Sequence, residues 1–136
     1  MKIREFQPRD INQVISLLKE SKLYHKPWDN QKNYIKKKKT DPDLMLVAEE
    51  DNKIVGFVLG QYDGWGPMIW RLAVSKAKQN KGIGTMLANQ IEKRLKNKGA
   101  RNIYVLATLN NKKSMEFFKK RRYYTDTKCW TMGKVV

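Results

Sequence analysis

Two periods of apolar residues run through the chain and lay out its elements. Lys2 to Phe6 alternates, with Ile3 and Arg4 on opposite faces, and predicts a short strand. Pro8 suits the first turn of a helix. Ile11, Val14, Ile15 and Leu18 then fall at helical spacing, which predicts a helix to about Ser21. Leu23 to Asp29 is aromatic and broken by Pro27, hence a loop. Asn30 to Lys39 is polar except for Tyr34 and Ile35, a surface helix that ends before Asp41-Pro42. Leu44 to Ala48 and Lys53 to Tyr62 are apolar runs of strand length around the turn-like Glu49-Glu50-Asp51-Asn52, so they predict a hairpin. Met68 to Val74 is the next strand, after the turn at Asp63-Gly64-Trp65-Gly66-Pro67. From Gly82, the residues Ile83, Leu87, Ile91 and Leu95 mark one helix face, and Lys98-Gly99 closes it. Ile103 to Ala107 reads as a strand, Asn110 to Lys120 as a short helix, and Tyr123 to Val136 as two further strands.

The expected order is three meandering strands followed by one βαβ crossover. That predicts an α/β (α+β) fold with a mixed, mostly antiparallel sheet of about 6–7 strands and helices on both faces. The chain of 136 residues fits a single domain over 1–136. No apolar run approaches the roughly 18–20 residues of a membrane span, and the charged start Met1-Lys2-Ile3-Arg4-Glu5 is not a signal peptide. The expected compartment is the cytoplasm, with no membrane partner. One cysteine, Cys129, excludes an internal disulfide, and a single histidine, His25, leaves no Cys/His metal cluster. The net charge of +16 is dominated by lysine, including the run Lys36 to Lys39. Such a charge fits phosphate-bearing partners, nucleic acid among them, and equally fits solvated lysine faces.

The segment with the most chemistry is Leu72 to Thr85. A strand enters a short polar loop, and Gly82 and Gly84 open an amphipathic helix. First-turn amides have no partner inside a helix, and the helix dipole favours negative charge beside them. Glycines there let a phosphate approach the backbone, and Lys76, Lys78 and Lys81 add cations. The pattern builds a pyrophosphate cradle. It is not a nucleotide P-loop, because Ile83-Gly84-Thr85 replaces the Lys-Ser/Thr pair. It is not a dinucleotide fingerprint either, because Leu87 stands where the third glycine belongs.

Gln79-x-x-Gly82-x-Gly84 resembles the Gln/Arg-x-x-Gly-x-Gly/Ala signature of the GNAT (GCN5-related) N-acetyltransferases. Leu72-Ala73-Val74 resembles that family's fourth strand. Asn111, Ser114, Phe118 and Tyr123 stand at the spacing of its C-terminal Asn-to-Phe motif. The likeness reaches from the first strand to about Tyr124 and is greatest to the small YpeA-like and RimI-like members, with Pro27-Trp28-Asp29 and Tyr62-Asp63-Gly64 resembling segments of the YpeA-like group.

The resemblance implies acetyl-CoA between splayed strands, with the backbone of Leu72 and Val74 pairing with its pantetheine arm. It implies a pyrophosphate on the amides of Gln79, Asn80, Lys81, Gly82, Ile83, Gly84 and Thr85, and Asn111 and Phe118 along the cofactor. A bulge in the fourth strand would aim a backbone N–H, that of Ala73, at the thioester oxygen.

Transfer to an amine further needs a route for the acceptor's proton and for the thiolate's. The family's usual acid position is Phe118, which has no proton to give. Tyr123 is the candidate acid, with Tyr124 and Tyr104 near it in sequence. Asp63 is the candidate base, although an Asp-Gly pair is also an ordinary turn. Cys129 and Trp70 read as packing residues, His25 as a loop residue, and Trp28 and Trp65 as pocket-lining candidates. The leading reading is an acetyl-CoA-dependent N-acetyltransferase, monomeric or homodimeric, acting on a protein N-terminus or small amine. The alternatives are a nucleic-acid-binding module and a CoA-binding protein without catalysis.

Overall fold

A computed structural model describes Met1–Val136. Its contacts divide the chain into two compact units, Met1–Val105 and Leu106–Val136.

The first unit is a sheet with helices on both faces. Its strands are β1 (Lys2–Glu5), β2 (Met45–Glu50), β3 (Lys53–Gln61), β4 (Met68–Val74) and β5 (Tyr104–Val105). Their order in space is their order in sequence. The first four pair antiparallel, and β5 lies parallel to β4 after the crossover helix α3 (Ile83–Asn97). The helices α1 (Ile11–Glu20) and α2 (Gln31–Thr40) lie between β1 and β2 in sequence. No helix is long and apolar enough to cross a membrane.

The period-2 alternation of the strands sends two sets of side chains to two cores. On one face Met45, Val47, Phe57 and Ala73 pack with Phe6 and with Ile11, Val14, Leu17, Leu18 and Tyr34 of the first two helices. On the other face lies α3, whose Ile83, Leu87, Ile91 and Leu95 are buried at the predicted four-residue spacing. Its close approach depends on glycine. A Cβ at Gly56 would stand 2.8 Å from Leu87 Cδ1, and one at Gly60 would stand 3.1 Å from Ile91.

Two expectations are corrected. The sheet has five strands, not six or seven, and β5 keeps only Tyr104 and Val105 of the expected Ile103–Ala107. The stretch 125–136 contains no strand and is solvent-exposed throughout. It alternates too weakly to bury one face, because Thr125-Asp126-Thr127-Lys128 is polar and Cys129, Trp130 and Met132 fall on both faces. In the second unit α4 (Lys112–Lys120) is capped by Asn111, whose side chain accepts from the Ser114 N–H at 3.0 Å.

Candidate active site

The β4–β5 ladder holds two residue pairs, Met68 with Tyr104 and Ile69 with Val105. Beyond Ile69 the pairing ends, because β5 itself ends at Val105, and this edge of β4 has no strand partner from Trp70 to Val74. Hydrogen-bond phase then decides which backbone groups face the opened edge. Ser75 N–H donates to Val55 O at 2.9 Å, so Ser75 points toward β3. Antiparallel pairs alternate between bonded and non-bonded, and Val74 opposes Gly56, Ala73 opposes Phe57 and Leu72 opposes Val58. Ala73 therefore turns its N–H to Phe57, while Leu72 and Val74 turn theirs to the open edge. Gln79 corroborates this phase, because its Nε2 reaches the Val74 carbonyl at 3.2 Å on the side away from β3.

This corrects the assignment of Ala73 as the backbone donor. Its N–H belongs to the β3 ladder and its side chain to the core. The bulge expected in β4 is present, but at Trp70. Leu59 pairs with Arg71 and Gly60 with Ile69, so Trp70 is the extra residue. It stands where β4 leaves β5.

The chain from Val74 to α3 is pinned at several points. Lys76–Lys78 form a 3₁₀ turn. The Lys76 N–H donates to Glu20 Oε1 at 3.1 Å, and Lys78 pairs with Glu50. That pairing holds the Lys78 ammonium above its ordinary pKa and the Glu50 carboxyl below its own, and ties this turn to β2. Asn80 (φ 61°) and Gly82 (φ 80°) take left-handed conformations that reverse the chain. Gly82 is the N-cap of α3, with open space around the position of a Cβ. The first helical bond of α3 runs from Met86 N–H to Gly82 O at 3.0 Å. The amides of Ile83, Gly84 and Thr85 precede it, and no side chain caps them. No acid occupies the first turn of α3. Lys81 is exposed beside them.

The bulge also builds the opposite wall. An extra residue in a strand interrupts its alternation and re-aims side chains, and here both Trp70 and Arg71 meet Trp28 of the α1–α2 loop. The Trp28 and Trp70 rings lie edge-on at 5.8 Å, and the Arg71 guanidinium stands 5.8 Å from the Trp28 ring. Arg71 Nη2 donates to Asp29 Oδ2 at 3.0 Å, and Nη1 to Trp70 O at 2.8 Å. Asp29 is buried and also accepts from Tyr34 Oη at 2.7 Å and from the His25 N–H at 2.7 Å. Burial and the bond to Asp29 hold the Tyr34 phenol well above its usual pKa, so it stays protonated as a donor. The His25 ring lies 4.6 Å from Trp28.

Sequence reasoning did not find this network of Asp29, Tyr34 and Arg71. Its one signal was Arg71, the single charge in an otherwise apolar strand. Trp70 is half-buried, not a core residue, and its indole N–H donates to Gln61 Oε1 at 2.8 Å. Trp65 is 89% exposed at the β3–β4 turn. Asp63 is exposed at that turn, and its carboxylate accepts from the Trp65 N–H at 3.2 Å, so the structure gives it a turn's work.

In the second unit Phe118 packs edge-on against Phe117 and Tyr123 at 5.2 and 5.0 Å. Arg122 holds a positive φ of 69°, the conformation that favours glycine. Arg122 N–H bonds Lys119 O and Tyr123 N–H bonds Phe118 O, closing α4 with a Schellman motif.

The crossover sheet thus leaves one edge of β4 unpaired, and the chain runs on from it into an uncapped helix N-terminus. The sequence model of the acetyltransferase (GNAT) family matches residues 11–123. An acetyltransferase of Pectobacterium atrosepticum is 35% identical over 135 residues, covering 98% of this chain and 94% of that one. Two solved structures share the fold. The PaiA N-acetyltransferase of Thermoplasma acidophilum, in complex with coenzyme A, has a TM-score of 0.77 at 20% identity, covering 88% of this chain and 87% of that one. Diaminobutyrate acetyltransferase EctA of Paenibacillus lautus, in complex with L-2,4-diaminobutyric acid and coenzyme A, has a TM-score of 0.77 at 20% identity, covering 88% and 73%. The chain belongs to the acetyltransferase (GNAT) family, and its class of reaction is acetyl transfer.

Proposed function

We propose that this chain transfers an acetyl group from acetyl-CoA to a primary amine by direct attack while both are bound. The observation that carries the reading is a continuous one. The opened edge of β4 presents the Leu72 and Val74 amides, and the same chain runs on into the uncapped start of α3. An extended amide-bearing arm suits the first, since it can pair as an added strand. A pyrophosphate suits the second, where first-turn amides and the dipole meet it with no acid to repel it. Acetyl-CoA, when bound, supplies an activated acetyl thioester.

The chain's own residues then divide the work. Gly82, Ile83, Gly84 and Thr85 would hold the pyrophosphate, with Lys81 beside them and Gln79 bracing the loop through the Val74 carbonyl. The Val74 N–H and the Leu72 carbonyl would pair with the extended arm, which leaves the Leu72 N–H to stabilise the thioester oxygen as it gains charge. That role passes from Ala73 to Leu72 on the ladder phase. The assignments of Asn111 and Phe118 to the cofactor and of Tyr123 as acid rest on the resemblance. Asp63 is a weaker base for its turn role, which leaves solvent to take the acceptor's proton.

Calorimetric titration with acetyl-CoA tests the reading, run beside Gly84→Glu. Wild type is expected to bind in the micromolar range and the variant not to bind, because a carboxylate enters the cradle. Folded wild type that binds no acetyl-CoA would overturn it.

A further inference from the structure

We infer that Arg71 is a positioning residue for acetyl transfer: its guanidinium, anchored on Asp29 of the α1–α2 loop, holds the Trp70 carbonyl and so sets the aim of the Leu72 N–H. This rests on the reading of Leu72 as the donor to the thioester oxygen and deepens it. Three observations carry it.

The first is the phase of the backbone at the bulge. Ser75 bonds Val55, so the bonded pairs of this ladder are Ser75 with Val55, Ala73 with Phe57 and Arg71 with Leu59. The Arg71 N–H therefore faces β3. The Trp70 carbonyl belongs to the same trans peptide and faces the other way, toward the unpaired edge. Along that edge it is the backbone group before the Leu72 N–H, and only the dihedrals of Arg71 separate the two peptides. A bulge disrupts the ladder where it sits, so β3 holds this peptide less firmly than the next ones.

The second is the side chain that makes up the difference. Arg71 Nη1 donates to Trp70 O at 2.8 Å, and Nη2 to Asp29 Oδ2 at 3.0 Å. One rigid, planar fork thus ties the bulge carbonyl to an anchor. The anchor is itself fixed, because Asp29 also accepts from Tyr34 Oη at 2.7 Å and from the His25 N–H at 2.7 Å. With its carbonyl oxygen occupied by a cation, the Trp70 peptide does not set a bare negative dipole end beside a developing oxyanion.

The third is the energy of the pair. The Arg71 and Asp29 side chains are 11% and 5% exposed. Desolvation cancels much of the attraction in a buried ion pair, which makes it a weak source of stability. Arg71 Nε is in addition buried with no hydrogen-bond partner, a further cost. The rest of β4 is apolar, so packing alone has no use for a charge at this position. Placement of the peptide next to the Leu72 N–H gives it one.

The test uses Arg71→Lys. Lysine keeps the ion pair with Asp29 but replaces the two-pronged fork with a single point of charge. Backbone amide spectra are recorded with coenzyme A and with acetyl-CoA, which differ only in the acetyl thioester. In wild type the Leu72 resonance is expected to differ between the two. In Arg71→Lys that difference is expected to shrink, while the calorimetric Kd for acetyl-CoA and the Ala73 resonance in the β3 ladder stay unchanged. Turnover is followed with whichever of butylamine, tryptamine, spermidine and a short peptide beginning with methionine wild type acetylates fastest. There kcat is expected to fall about tenfold, as a small misplacement at a reacting centre does, with the KM for acetyl-CoA unchanged. Asp29→Asn keeps the volume and an acceptor oxygen and gives up the charge. It is expected to show the same changes to a smaller degree, and it carries the test should Arg71→Lys not fold.

A Leu72 resonance that tells acetyl-CoA from coenzyme A equally well in wild type and in the variants, or a wild-type kcat in them, overturns the inference and leaves acetyl transfer standing. A wild-type Leu72 resonance blind to the acetyl group removes Leu72 as donor and the inference with it. No binding of acetyl-CoA overturns the acetyl-transfer reading as well.

Discussion

At the scale of the residue, two neighbours in β4 have opposite jobs although the sequence offers no way to tell them apart. Leu72 and Ala73 are both apolar strand residues, and only the bond from Ser75 to Val55 sets which N–H faces the opened edge. Proline separates the roles, because it deletes an N–H and little else at a position whose N–H makes no ladder bond. Leu72→Pro is expected to keep the fold, by circular dichroism and thermal melting, and to lower kcat by about 10²–10³, the usual loss of one donor to a developing oxyanion. Ala73→Pro is expected to act on stability instead, by about 1–3 kcal/mol, because it strands the Phe57 carbonyl. If Ala73→Pro melts like wild type and Leu72→Pro unfolds, the phase assigned to β4 is reversed. Trp70 carries the same lesson. Its pattern reads as packing, and the bulge that brings it to Trp28 is a property of register, not of residue type.

At the scale of the element, the sequence was most informative where local chemistry and tertiary packing agree. The period of α3 and its Lys98-Gly99 close were legible because Gly99 takes the left-handed position (φ 104°) that the motif requires. The same closure ends α1 with Lys22 in that position (φ 58°), its N–H on Lys19 O and that of Leu23 on Leu18 O. Lysine gave no signal there, so the turn was invisible in the sequence. Lys22→Gly is expected to raise stability by about 1 kcal/mol, the cost of a left-handed side-chain residue, read as a higher denaturant midpoint. The glycine that opens α3 was legible too, because Gly82 takes a left-handed conformation (φ 80°) that favours glycine. The network of Asp29, Tyr34 and Arg71 was not, because Arg71 stands 42 residues from Asp29 and nothing local marks the three as partners. β3 shows the reverse dependence. Gly56 looks like a weak strand residue, yet α3 lies on it, and a Cβ there would meet Leu87, Ile83 and Ala48 at 2.8, 3.1 and 3.3 Å. Gly56→Ala is expected to destabilise by about 1–3 kcal/mol through overpacking. A melt unchanged from wild type would mean that α3 relaxes away from the sheet at no cost.

At the scale of the whole molecule, an excess of cations surrounds a small set of well-placed carboxylates. Arg4 grips Asp10 through both terminal nitrogens at 2.7 and 2.9 Å and Glu49 through Nε at 2.6 Å, tying β1 to α1 and β2. Glu5 holds Arg94 at 2.9 Å and Lys38 at 3.3 Å, tying β1 to α3 and α2. Burial pushes the Asp10 carboxyl up, but Arg4 and the Gln7 N–H overcome it and leave Asp10 below its ordinary 3.8. The bond from Arg94 holds Glu5 below its ordinary 4.5, and that from Arg4 does the same for Glu49. Depressed values fix the sign of the pH dependence. The unfolded chain takes up these protons at the ordinary values, whereas the folded chain resists until the pH is lower. Their stabilisation is thus complete above the ordinary values and is lost as pH falls through the folded ones. Thermal midpoints are expected to stay level from pH 7 to about 5 and to fall below about pH 4. Neutralising the carboxylates also leaves the 29 Lys and Arg charges unopposed, so the fall should be steeper at low salt. Asp10→Asn removes one of the titrating groups and should lower the midpoint at pH 7 while flattening the acid limb. An acid limb with the wild-type slope in that variant would place the proton uptake elsewhere. A limb insensitive to salt would remove the excess charge from the account and leave the Arg4 and Glu5 pairs as its cause.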